Sequence, residues 1–363
     1  MKTFLEEIVT TSNKRETDIE ALKNNGGAIV SYGAGSYALG VEKFLNSYGL
    51  TVDAFFVDDE YLNSKSNVAK NIITFSEVSQ MFDKFSVVIA NITAVTDTRK
   101  RLKQRDSKQI IGVYLFDCLF LEVFSHFNFE YIRKHIKKFE AVYHSLSDEQ
   151  SKKTYIGFIN TKITHNSDLL GTFNKDQYFC EDIVKLSNNE VFVDGGAFTG
   201  DTLLPFIEKT NGRFYKYYAF EPDAENASKL KDLIKGIDIS GIASIQKGLW
   251  SKPEILRFSG DGIDSGSISE YGDKEILVDS IDNLCPDATF IKMDIEGAEL
   301  EALKGAAETI KKNQPKLAIC IYHRPEHLFE VPIYIKSLCL EYKFYIRQHR
   351  QEISGELVLY AII

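Results

Sequence analysis

Twice in this 363-residue chain a short apolar run ends in a glycine-rich turn and passes into a helical stretch. The first is SYGAGSYALG at residues 31–40, the second VFVDGGAFTGDT at residues 191–202. A buried strand that enters a helix through bare backbone is the opening unit of a doubly wound α/β sheet. Two such units far apart, in a chain too long for one ordinary core, imply two α/β domains.

Composition narrows the function classes. The formal net charge is −9, which argues against broad phosphate-backbone binding and makes nucleic acid an unfavoured partner. Five cysteines, Cys118, Cys180, Cys285, Cys320 and Cys339, show no CxxC or CxH spacing. They fit reduced thiols in a cytoplasmic protein rather than a disulfide frame or zinc site. The start, MKTFLEEIVTTSNK, places Glu6 and Glu7 where a signal peptide needs an apolar run. The most apolar window, IIGVYLFDCLFLEVF, is interrupted by Asp117 and Glu122 and is too short for a membrane span. It reads as a buried strand followed by an amphipathic helix.

Residues 1–118 read as a Rossmann-like, doubly wound domain of nucleotide-binding type, with strands at AIVSY, VDAFFVDD, FSVVIANIT and IIGVYLF. Residues 119–186 read as a helical linker, in which Ser147 and Gln150 have capping-box spacing. Residues 187–363 carry EVFVD, KYYAFEP, ASIQKGLW, TFIKMD and KLAICIY, then KFYIRQH and ELVLYAII joined by a polar turn. A parallel sheet with an antiparallel last strand differs from a dinucleotide domain and matches a methyltransferase sheet.

The two turns differ chemically. Gly33, Gly35 and Ala38 satisfy G-x-G-x-x-A, and Asp58 ends the next strand, where a ribose-binding acid sits. A nucleotide or nucleotide sugar fits there; so does a purely structural role in tight helix–strand packing. In the second turn Asp194, Gly195, Gly196, Thr199, Gly200, Asp201 and Thr202 lack that register. An acid at the base of the turn suits a cationic ligand without phosphate, and S-adenosylmethionine is one. Glu221, Pro222 and Asp223 follow the next strand, with Glu221 placed to accept the two ribose hydroxyls.

These residues resemble the FkbM-type methyltransferases. The motifs are VFVDGGAFTGDT, YAFEPD, GLWS, DSGSIS, VDSIDNL, FIKMDIEGAELEALKGA, AICIYHRPEHLFEVPIYI and LVLYAI, all in the second half of the chain. The resemblance implies a class I methyltransferase fold that uses S-adenosylmethionine and methylates a hydroxyl of a sugar or polyketide-like product. Phe198 departs from the pattern, which has asparagine there in many members.

Methyl transfer asks mainly for orientation and removal of the acceptor proton. Asp294 or His323 is the expected base, and Glu296 either orients the sugar or joins Asp294 and His323 around a divalent ion. Lys292, among apolar residues, either pairs with a buried carboxylate or touches substrate. Glu299 and Glu301 read as first-turn, solvated helix residues, and His327 and His349 as surface residues. Three alternatives stay open. The basic runs at residues 98–108 and 131–138 keep an RNA methyltransferase in view. The first turn keeps a nicotinamide-dependent sugar oxidoreductase in view, whereas Tyr61 and Lys65, at Y-x-x-x-K spacing, come directly after the second strand, too early for that catalytic helix, and read as a loop. The first domain could also serve only to dock a partner enzyme.

Overall fold

A computed structural model describes residues 3–9, 13–63, 69–91, 95–104, 108–118, 120–259, 266–269 and 271–363. Outside these lie Lys65 of the Y-x-x-x-K spacing, residues 264–265 of DSGSIS, residues 92–93 of the third strand run and residues 105–107 of the first basic run. Two compact units emerge: Met1–Phe129 with Ile156–Gly171 and Gln351–Ser354, and Glu130–Tyr155 with Thr172–Arg350 and Gly355–Ile363. The segment expected as a linker, 119–186, is therefore divided between the units rather than standing apart from both.

In the first unit, β1 (Ala28–Tyr32), β2 (Ala54–Val57), β3 (Ile72–Thr74), β4 (Phe85–Ile89) and β5 (Ile110–Leu115) form a parallel sheet in the order β3-β2-β1-β4-β5. Side chains alternate across a strand, so β1 contributes to two cores. Ile29 packs with Val41 and Leu45 of helix Ser36–Ser47 on one face. Val30 and Tyr32 pack with Val78 and Leu102 on the other. Each buried side chain of this kind contributes roughly 1.5–3 kcal/mol. The window after β5 forms turns through residues 120–126 instead of the expected helix. Asp117, whose carboxylate accepts the Ser354 N–H at 2.9 Å, and Phe120, at φ +58°, redirect the backbone there.

The second unit contains β6 (Val191–Gly195), β7 (Lys216–Phe220), β8 (Ile242–Ile245), β9 (Gly248–Leu249), β10 (Glu254–Ser259), β11 (Ser267–Ile268), β12 (Lys274–Asp279), β13 (Phe290–Met293), β14 (Lys316–Cys320), β15 (Lys343–Gln348) and β16 (Leu357–Ile362). Seven of them make a sheet in the order β15-β16-β14-β13-β6-β7-β8. β16 runs antiparallel to both β15 and β14, and the other pairings in this sheet are parallel. That is the expected methyltransferase-type sheet.

The run ASIQKGLW splits into β8 and β9, and β9 belongs to a second sheet of order β11-β10-β12-β9. That sheet was not anticipated, because β10 and β12 present Ile255, Arg257 and Glu275 to solvent and show a broken apolar pattern. Helix Glu149–Thr164 is capped by Asp148, whose carboxylate accepts the Ser151 N–H at 2.7 Å, and not by Ser147. The charged stretch at 127–146 forms two helices, Phe129–Lys134 and Ile136–Ser145. An aromatic core fixes the central strands: Phe192 stacks on Phe206 at 4.7 Å and meets Phe290 edge-on at 4.8 Å.

Candidate active site

Ligands of a doubly wound sheet lie outside the carboxyl ends of its strands. In the second unit that edge carries the glycine-rich turn after β6, Glu221 after β7, Asp294 after β13 and His323 shortly after β14. The turn is shaped by close approach. Gly196 has φ +73°, and a Cβ there would meet the Asp294 carbonyl oxygen at 1.9 Å. Gly200 has φ +99°, and its Cβ would strike Leu233. Phe198, at φ +45°, occupies left-handed space that asparagine enters more readily than phenylalanine. Thr199 is half-buried, Asp201 is exposed, and buried Thr202 is the N-cap residue of helix Leu203–Thr210.

Asp194 departs from its expected part. It is fully buried, and its Oδ1 lies 2.8 Å from Lys292 Nζ while Tyr217 donates its hydroxyl to Oδ2. The negative charge expected to face a cationic ligand is neutralised inside the fold. Lys292 also donates to the Gly196 carbonyl at 2.8 Å, so it holds both the base and the first bend of the turn. Burial alone would lower the Lys292 pKa, but the carboxylates led by Asp194 outweigh it and raise it. Of the two readings left open for Lys292, pairing with a buried carboxylate is the one observed.

Glu221 links the turn to the next strand. Its Oε2 accepts the Phe198 N–H and its Oε1 the Asp223 N–H, both at 2.9 Å. Burial raises its pKa from the ordinary carboxylate range to about 7, against the two N–H bonds that lower it. Half-buried Pro222 separates it from Asp223. The Asp223 carboxylate itself caps helix Ala224–Lys235 through the Glu225 and Asn226 N–H groups and meets Lys274 Nζ at 3.3 Å. Asp223 thus reaches the site through its backbone.

Asp294, Glu296 and His323 do come together. His323 Nε2 is 3.4 Å from Asp294 Oδ1 and 3.5 Å from Glu296 Oε2. Asp294 also accepts hydroxyls from Tyr178 at Oδ2, 2.8 Å, and from Tyr322 at Oδ1, 3.2 Å. Beneath them is Glu299, fully buried rather than solvated. Its carboxylate lies 2.8 Å from His323 Nδ1 and 3.2 Å from His327 Nδ1, and accepts the Ile295 N–H at 3.0 Å. Glu301 pairs with Lys304 near the surface.

His323 is held as a cation. Burial opposes its charge, yet Glu299 first and Glu296 next raise its pKa to about 10. An imidazolium near neutral pH has no lone pair with which to take a proton. His327 and His349, read as surface residues, are both buried. His349 Nε2 is 2.8 Å from the Tyr360 hydroxyl and its Nδ1 is 2.8 Å from the Asn174 carbonyl.

A family model described as methyltransferase FkbM domain matches residues 194–351. The chain carries a methyltransferase FkbM domain. Methyltransferase FkbM from Methylobacillus flagellatus KT has a similar fold, with a TM-score of 0.71 and 23% identity over 98% of this chain and 95% of that one. Precorrin 8w decarboxylase from Methanobacterium thermoautotrophicum aligns with 53% of this chain and 97% of its own at 15% identity, with a TM-score of 0.30 too low to bear on the fold. No curated protein matches. The protein is therefore a methyltransferase, and among the described residues no helix is long and apolar enough to cross a membrane.

Tyr178, Tyr322 and Glu356 join the site without any expectation from the sequence, and Glu299 and His327, expected at the surface, are buried in it. Glu356 is raised in pKa by burial and by Asp294, and accepts Gln177 Nε2 at 2.5 Å. Tyr322 and Glu299 stand inside the quoted motifs, whereas Tyr178 and Glu356 lie outside the matched stretch and carried no signal.

The first unit keeps its own loop. Gly33 has φ +123° and its Cβ would meet the Ala90 carbonyl oxygen at 2.5 Å. Gly35 is the N-cap residue of helix Ser36–Ser47, and Ala38 is buried within it. The Asp58 carboxylate is engaged by the Tyr32 hydroxyl and by Arg101 Nη1 at 2.8 Å. Gly33 therefore meets a packing demand whether or not a nucleotide binds.

Proposed function

We propose that this methyltransferase transfers the methyl group of S-adenosylmethionine to a sugar hydroxyl during polysaccharide, glycolipid or nucleotide-sugar biosynthesis. The observation that carries the donor assignment is Glu221, a buried carboxylate at the end of β7 that is tied by the Phe198 N–H to the glycine-rich turn after β6. The residues present fit the donor. Gly196 leaves bare backbone where any side chain would collide with Asp294. Each Glu221 oxygen accepts one N–H and keeps a lone pair for a ribose hydroxyl. The Gly196–Gly200 turn and Glu221 would hold the nucleoside, and S-adenosylmethionine supplies a sulfonium-activated methyl group.

The chain's own part is orientation and one proton. Asp294 takes the acceptor hydroxyl proton. Tyr178 and Tyr322 hold its carboxylate, and the His323 imidazolium stands beside Oδ1. Glu296, at φ +52°, faces the same space and orients the acceptor. A divalent ion among Asp294, Glu296 and His323 would have to take the place of the Nε2 proton of the imidazolium, the nitrogen that faces both carboxylates, so no step is assigned to one.

The test supplies methyl-labelled S-adenosylmethionine with a panel of UDP-, GDP- and dTDP-hexoses. Transfer to one of them, abolished in Asp294→Asn while S-adenosylhomocysteine still binds, is the expected result. Full turnover by Asp294→Asn would remove Asp294 as the base.

A further inference from the structure

Tyr178 lies outside the stretch matched to the FkbM family model, yet it touches both halves of the site. Its ring covers Lys292, with Nζ 5.0 Å from the centroid. Its hydroxyl donates to Asp294 Oδ2 at 2.8 Å and accepts from Gln177 Nε2 at 2.8 Å. Lys292 is the cation that fixes Asp194 and the Gly196 carbonyl. One side chain therefore places a π face on the support of the donor turn and a hydroxyl on the acceptor-side carboxylate.

The backbone shows that this placement is imposed. Tyr178 has φ +65°, a conformation that bulky residues seldom adopt and that persists only where surroundings enforce it. The Tyr178 N–H donates to the Tyr360 hydroxyl at 2.9 Å, and the residue is only 6% exposed.

We propose that Tyr178 is a positioning residue that couples the donor turn to Asp294: its ring sets donor affinity through Lys292, and its hydroxyl sets the orientation of the Asp294 carboxylate. The inference rests on the donor assignment above. Cation–π contacts strengthen when desolvated, and here the ammonium is buried, so the ring and the hydroxyl should be separable by substitution.

The experiment uses the full chain and S-adenosylhomocysteine as probe. Calorimetry on the wild type, Tyr178→Phe and Tyr178→Leu is expected to give affinity within about 2-fold for the phenylalanine variant and a loss of about 10-fold or more for the leucine variant. Tyr178→Met replaces Tyr178→Leu if the latter does not fold. In parallel, the 13Cζ resonance of Tyr178, assigned by its loss in Tyr178→Phe, is expected to move both in Asp294→Asn and on adding S-adenosylhomocysteine to the wild type. Wild-type affinity in the variant without a ring, or a resonance indifferent to either change, overturns the coupling while leaving the donor site intact. Failure of the wild type to bind S-adenosylhomocysteine overturns the donor assignment, and the coupling with it.

Discussion

Lys292 and Asp194 are register partners across β13 and β6, and their charges meet at 2.8 Å with both side chains buried. The pair sits one strand residue before the turn that Lys292 also grips at the Gly196 carbonyl. A buried ion pair adds little to net stability, yet removing one partner leaves a charge with no compensation.

Lys292→Met should therefore destabilise the second unit by about 3–5 kcal/mol in urea unfolding. Lys292→Met combined with Asp194→Asn should recover part of that loss, because no bare charge remains. A single-variant loss below about 1 kcal/mol would show that the pair is not buried as described.

Gly196→Ala should abolish S-adenosylhomocysteine binding. The added Cβ would sit 1.9 Å from a backbone oxygen at φ +73°, and no side-chain rotation relieves a backbone collision. Gly40→Ala, where a Cβ meets nothing within 4 Å, is the matched control and should leave binding unchanged. Equal affinities in the two variants would contradict the assignment of the turn.

Glu221 predicts a pH signature. Its folded pKa of about 7 is raised above the ordinary carboxylate value by burial. The stability it contributes is thus complete below about 4.5 and is lost as pH rises through about 7. Donor binding should run the other way, since the ionised carboxylate accepts ribose hydroxyls. S-adenosylhomocysteine affinity should rise between pH 6 and 8 in the wild type and stay flat in Glu221→Gln. A flat wild-type profile would count against Glu221 as the ribose acid.

The order of elements was open to a sequence reader because parallel strands buried on both faces are nearly continuous apolar runs, as in VFVDG and FIKMD. Reversal of β16 followed from the two apolar runs that close the chain. The small sheet of β9 to β12 was hidden by its wet face, where Ile255 and Leu277 stand opposite each other in solvent. Within the site, Asp294, Glu296 and His323 were legible as polar residues at strand ends. Glu299 was not, because a glutamate in the first turn of a helix normally faces water, and here His323, His327 and the Ile295 N–H together offset its burial. Tyr178 carried no pattern, since its role depends on contacts with residues 114 and 116 positions away in sequence, Lys292 and Asp294.

Glu299→Gln should cost about 3–5 kcal/mol near pH 7, as expected for breaking a buried charge pair. The sign of its pH dependence follows from both partners. His323 contributes stability that is complete below about 6.5 and lost as pH rises through about 10. Glu299, lowered well below the usual carboxylate value by His323 and His327 despite its burial, contributes above about 4.5 and loses that as pH falls further. The variant should therefore differ most from the wild type between these limits and converge with it above pH 10. A constant difference from pH 6 to 11 in thermal unfolding would contradict the pairing.

The central claim, that the turn after β6 and Glu221 hold S-adenosylmethionine, is tested most directly by calorimetric titration with S-adenosylhomocysteine of the wild type and Glu221→Ala at pH 8. Saturable binding to the wild type that is lost or at least about 100-fold weaker in the variant, as for removal of a charged hydrogen-bond partner, is the predicted result. Equal binding by both proteins, or none by the wild type, would contradict it.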